Sequence, residues 1–197
     1  MFGDSDGDGV LGRAILAVTL ECLGCDVRTR VPHRHDEGYG RAVKMIDEAS
    51  AAGVKLLITA DCGVANAAEI AMAKERGIDT IVCDHHALPE IMPEATAVLH
   101  PKQPGCGYPF KELTGSGVAY KFAQALARER MGDDADAFSR SLLDLAALGT
   151  VADMGRLMGA HRMIVHGGLR ELAGRKGPGG KRTAFCVSSI DPWHSDE

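Results

Sequence analysis

Two short apolar runs, residues 54–59 and 78–83, each lead into an acidic turn, Asp61-Cys62-Gly63 and Asp84-His85-His86, with one helical stretch between them. Each run is nearly continuous in its apolar character, as a strand buried on both faces requires. The stretch between them, residues 65–76, carries helix-forming residues and stops at Gly77. A strand, a helix and a second strand at this spacing imply a parallel sheet with helices packed on both faces. In sheets of that kind ligands collect beyond the carboxyl ends of the strands, where both acidic turns fall.

The flanking segments extend the pattern. Between residues 10 and 23, Leu11, Ala14, Ile15, Val18, Leu20 and Leu23 follow helical spacing, and Gly24 ends the run. Residues 26–31 read as a short strand stopped by Pro32, residues 33–40 as a polar, glycine-punctuated loop, and residues 41–52 as a second helix. Residues 95–100 suggest one more strand, followed by a loop rich in Pro and Gly. From about residue 114 the character turns helical, with helices expected at 118–131, 135–148 and 158–173. The fold class is therefore α/β: a Rossmann-like parallel sheet flanked by helices, followed by a helical C-terminal part. Little of the strand that should precede Gly3 is present, so the domain is expected to begin upstream, with its first strand missing. Residues 174–197 contain a basic, glycine-rich run and show no period, and read as a flexible or foreign tail.

At 197 residues, 45% hydrophobic and 25% charged, the chain has the composition of one large globular domain. Its net charge of −5 argues against a basic nucleic-acid-binding module and suits a site that carries cations. No apolar run reaches membrane-spanning length, and acids stand where a signal peptide needs a basic start, so a cytoplasmic location is expected. Cys22 and Cys25 form a C-x-x-C without a second pair to complete four ligands, and are expected to be reduced, buried thiols.

A third acidic cluster opens the chain: Gly3-Asp4-Ser5-Asp6-Gly7-Asp8-Gly9. Aspartates at alternate positions repel one another unless they spread into water or gather round a cation. An EF-hand loop is excluded, because its twelfth position, a bidentate Glu in that motif, is Ile15. Capping of the following helix would account for one or two of these acids, and a lone Asp61 or Asp84 would likewise pass as a cap. Taken with His85 and His86, three acidic turns on one rim favour a two-cation site. Its oxygen-rich donors favour Mn²⁺ or Mg²⁺ over zinc. His33, His35, His100, His161 and His166 read as surface or internally satisfied histidines.

Several ordered strings, Gly3-Asp4-Ser5-Asp6-Gly7-Asp8-Gly9, Val31-Pro32-His33-Arg34, Ile58-Thr59-Ala60-Asp61-Cys62-Gly63 and Cys83-Asp84-His85-His86, resemble the DHH phosphoesterase family. Further matches at His100-Pro101-Lys102, Leu113-Thr114-Gly115-Ser116-Gly117 and Gly149-Thr150-Val151-Ala152-Asp153 point to its single-strand-specific DNA exonuclease branch. The resemblance implies a catalytic domain over residues 1–173. It implies two Mn²⁺ or Mg²⁺ ions on Asp6, Asp8, Asp61, His85 and Asp153, with Asp61 shared between them. Asp4 and Asp84 would support these ligands, His86 would face the scissile phosphate and Arg34 could pair with a phosphate. The implied reaction is 5′-to-3′ hydrolysis of single-stranded DNA in recombination and repair. Short oligonucleotides, cyclic dinucleotides or pyrophosphate are the alternative substrates, and an inactive truncated fragment is the alternative outcome. The family's second, DHHA1-like domain with its Gly-Gly-His motif and its oligonucleotide-binding fold find no counterpart in these residues, so weak DNA binding and unknown protein partners are expected.

Overall fold

The computed structural model describes residues 1–30 and 39–174. Four parallel strands lie in the order β1 (Phe2–Gly3), β2 (Leu56–Ala60), β3 (Asp79–Cys83) and β4 (Ala97–Leu99). Their register aligns the C-terminal ends: Gly3 is opposite Ala60, Ala60 opposite Cys83, and Cys83 opposite Leu99. The residues that follow Gly3, Ala60 and Cys83 therefore emerge along one edge, and these are the three acidic turns.

Helices cover both faces, as the buried strand pattern demands. Side chains alternate along β2, so Ile58 and Ala60 face one core and Leu57 the other. The larger core packs these strand residues and Cys83 against α1 (Gly7–Cys22), α4 (Gly115–Arg130), α6 (Leu143–Ala152) and α7 (Gly159–Gly174), through Ile15, Leu16, Ala119, Leu145 and Ile164. The smaller core joins α2 (Tyr39–Ala51) to α3 (Ala67–Glu75) through Ile46, Ala73 and Ile78. A 3₁₀ turn at Gly132–Asp134 and α5 (Ala135–Ser141) complete the helical part. No helix among the described residues is long and apolar enough to cross a membrane.

Three expectations need correction. Residues 26–30 form no strand; a single parallel bridge joins Arg30 to Phe2, with the Arg30 amide donating to the Met1 carbonyl at 2.9 Å. The neighbour, β1, has two residues and offers no longer ladder. The helix expected at 135–148 is instead α5 and α6, broken at the buried Leu142, whose amide bonds back to Ser139 in a tightened turn. Cys22 and Cys25 are exposed rather than buried, because they lie at and just past the solvent-facing end of α1.

Candidate metal centre

The first aspartate turn runs directly into α1. Asp6 is the helix N-cap and accepts from the Gly9 amide at 2.9 Å; Asp4 accepts from the Ser5 amide at 2.5 Å. Asp8, two residues further on, points inward and is 1% exposed. Its carboxylate takes the amides of Gly115 (2.6 Å) and Ser116 (2.9 Å), two of the free N–H groups at the start of α4. Thr114 caps the same end, accepting from Gly117.

Asp61 leaves β2 with φ +63, a left-handed conformation that is costly for a residue with a Cβ and is found preferentially at functional sites. It is 1% exposed, and a Cβ on Gly115 would stand 2.3 Å from its Oδ1, so only glycine leaves room for this carboxylate. His85 Nε2 is 3.0 Å from Asp61 Oδ1, 3.9 Å from Asp8 Oδ2 and 4.0 Å from Asp153 Oδ2. Apart from this approach by His85, Asp61 Oδ1 is buried with no hydrogen-bond donor among the described residues. Asp153 reaches the cluster from the C-cap of α6.

Asp84 organises the next turn. Its carboxylate accepts from the amides of Val64 (2.8 Å), His85 (2.7 Å) and His86 (3.1 Å) and from His86 Nδ1 (2.8 Å). That last bond fixes the proton on Nδ1 and directs Nε2 of the half-exposed His86 away from Asp84. Behind this turn, His100 Nε2 donates to the His86 carbonyl at 3.0 Å and Lys102 Nζ to the His85 carbonyl at 2.8 Å.

Burial sets the electrostatics. It pushes Asp61 up to about 7, with Asp8 and Asp6 adding to the rise and His85 opposing it. Burial also raises Asp8, against hydrogen bonds from Ser116. For His85, burial alone would lower the pKa; the neighbouring Asp61, Asp8 and Asp153 outweigh it and raise it. Asp84 goes the other way: burial would raise it, but the Val64 amide and the His86 ring and amide hold it below the ordinary carboxylate range.

Three sets of donor atoms come within 4.8 Å of one another: Asp8, His85 and Asp153; Asp4, Asp6 and Asp61; and Asp61, His85 and His86. The donor set fits divalent cations. Buried carboxylates that repel one another are stabilised by taking up a proton or by a cation, and a divalent cation neutralises several of them at once. Asp6 and Asp8, two residues apart along the chain, thus fall into different sets, and Asp4 joins Asp6 and Asp61 in one of them. Arg34 lies outside the described residues. The strings His100-Pro101-Lys102 and Leu113-Thr114-Gly115-Ser116-Gly117 stand out in the sequence, but the support that His100, Lys102, Gly115 and the α4 amides give the acidic turns is visible only in the structure.

A parallel sheet that gathers aspartates and a histidine along its carboxyl edge defines an α/β protein with a candidate divalent-cation site. Residues 1–150 match the model of the DHH family, N-terminal domain, and the chain belongs to that family. It is similar to the single-stranded-DNA-specific exonuclease RecJ of Bacillus subtilis, 43% identical over 172 residues, which is 87% of this chain and 21% of that protein. Against RecJ of Thermus thermophilus it is 40% identical over 171 residues, 86% of this chain and 24% of the relative. A crystal structure of exonuclease RecJ bound to manganese superposes with a TM-score of 0.75 at 40% identity, over 87% of this chain and 42% of that one. The chain thus spans between a fifth and a quarter of the length of these two curated relatives.

Proposed function

We propose that residues 1–173 form the catalytic domain of a metal-dependent phosphodiesterase that acts on single-stranded DNA, as the relatives' names suggest, removing nucleotides in the 5′-to-3′ direction that the family resemblance implies. The observation that carries the reading is the convergence of Asp8, Asp61 and Asp153, from three separate segments, on the ring nitrogen Nε2 of His85. Asp8, His85 and Asp153 would hold one Mn²⁺ or Mg²⁺ and Asp6 with Asp4 the other, Asp61 lying between the two sets. Divalent cations there supply Lewis acidity toward a phosphate ester and make water more acidic.

The chain's own groups do the rest. The α4 amides and Gly115 keep Asp8 and Asp61 fixed, so the site needs little rearrangement when charge develops on a phosphate. His86, held through Nδ1 by Asp84, presents Nε2 to donate or accept a proton at a phosphate oxygen. Lys102 supplies a positive charge at the rim, and Arg34 is proposed to pair with a substrate phosphate. A net charge of −5 and an acidic rim support weak DNA binding by this chain alone, because duplex and single-strand binding draw on several cationic contacts. A cytoplasmic location is proposed with this reading, in keeping with DNA as the substrate.

The test is Mn²⁺-dependent degradation of a 5′-labelled single strand, run beside cyclic dinucleotides and pyrophosphate. Stepwise release of mononucleotides from the labelled end, lost in Asp61→Ala, is the expected result. Turnover of the dinucleotide or pyrophosphate alone would transfer the domain to another branch of the family, and no Mn²⁺-dependent turnover of any substrate would mark an inactive fragment.

A further inference from the structure

We propose that His161 is a positioning residue for the metal centre: it clamps the turn that carries Asp153 to the start of α4, whose amides hold Asp8. The inference rests on the metal reading above.

His161 lies on α7, is 1% exposed and touches neither Asp8 nor Asp153. Both ring nitrogens are committed to backbone. The Thr114 amide donates to Nε2 at 3.2 Å, and Nδ1 donates to the Arg156 carbonyl at 2.9 Å. A backbone N–H can only donate and a carbonyl can only accept, so the two partners specify one tautomer, with the proton on Nδ1. Neither bond belongs to regular secondary structure; each joins a different loop to this ring.

Those loops are the ones that matter to the site. Thr114 is the N-cap of α4, and the next two amides are the donors to Asp8. Arg156 follows Asp153 by three residues, in the turn where α6 ends with Met154 at φ +53 and Gly155 bonded back to Thr150. Packing reinforces the clamp. A Cβ on Gly155 would stand 2.9 Å from His161 Cε1 and 3.0 Å from Thr114 Cγ2, so the turn sits directly against the ring. Phe110 holds the ring edge-on from the other side, with centroids 4.9 Å apart. His161 therefore sets the separation between two carboxylates that both approach His85.

Mn²⁺ alone, titrated into the full chain by calorimetry, tests this, with apo melting in EDTA as the check on folding. His161→Gln carries an acceptor and donors on one flexible amide, and so loses the rigid ring that spans Thr114 and Arg156. It should weaken one Mn²⁺ site about tenfold, the lower end of what supporting partners of metal ligands are worth. Combined with Asp153→Asn it should cause no further loss, because it acts through Asp153. Gly155→Ala, which pushes the turn off the ring, should show the same dependence and stands in where His161→Gln does not fold. Wild type binding two ions with either variant unaffected, or losses that add to those of Asp153→Asn, would overturn the positioning role alone. A wild-type chain that binds no Mn²⁺ would overturn the metal reading and this inference together.

Discussion

Asp61 concentrates the physics of the site in one side chain. It has a left-handed backbone, a buried oxygen approached by His85 alone among the described donors and a carboxyl raised to about 7 by burial. Linkage gives this a sign. In the unfolded chain Asp61 loses its proton near the ordinary value, about 3.9, whereas the folded, metal-free chain keeps it to about 7. Stability from this group is present below the lower value and is lost as pH rises through the window. The raised His85 acts in the same direction, losing its contribution as pH climbs through its folded value. In EDTA the chain should therefore melt lower at pH 8 than at pH 5.5, and excess Mn²⁺, which competes with those protons, should reverse the order. A metal-free melting temperature that rises across this range would contradict the burial of these charges. His86 makes a separate prediction: His86→Ala should cut turnover by about 10² or more while leaving Mn²⁺ affinity unchanged. A parallel loss of metal binding would make it a ligand. The pairing of acids with His85 and His86 was legible in the sequence because each follows an apolar run. That Asp6 and Asp8 part company was not, since the turn of α1 that rotates one toward Asp4 and the other toward α4 is a matter of helix geometry.

At the scale of elements, the start of α4 and the end of α6 close on the site through glycines. A Cβ on Gly149 would stand 2.3 Å from Ser116 Oγ and 2.9 Å from Asp8 Oδ1. Gly149→Ala should thus weaken Mn²⁺ binding as well as stability, whereas Gly107→Ala, with open space around its Cβ position, should change neither. Equal effects of the two would count against the close approach. Met154 offers the opposite case. It ends α6 with φ +53 and is 88% exposed, so Met154→Gly relieves strain and should raise stability by up to about 1 kcal/mol in denaturant unfolding. The elements themselves were largely readable, because buried parallel strands and amphipathic helices carry strong patterns. The strand expected at 26–31 failed for a tertiary reason: its only neighbour among the described residues is two residues long, and a lone strand edge gains little from one bridge. The break at Leu142 lies within a continuous helical pattern, and no Pro or Gly announces it.

Across the whole molecule, the sheet serves to bring three turns to one edge, and the helical part supplies what the strands cannot. Asp8 is tied to α4 across 107 residues of chain, and Asp153 arrives from α6. Such long-range partners leave no local trace in a sequence; they became visible through motif order, by likeness to a family, rather than through periodicity. The proposed chemistry requires two cations that share Asp61. Crystals soaked in Mn²⁺ and measured at the manganese absorption edge put that claim to the most direct test. Two anomalous peaks are predicted, one among Asp8, His85 and Asp153 and one among Asp4 and Asp6, with Asp61 reaching both. Peaks absent from this rim, or bound elsewhere on the chain, would contradict it.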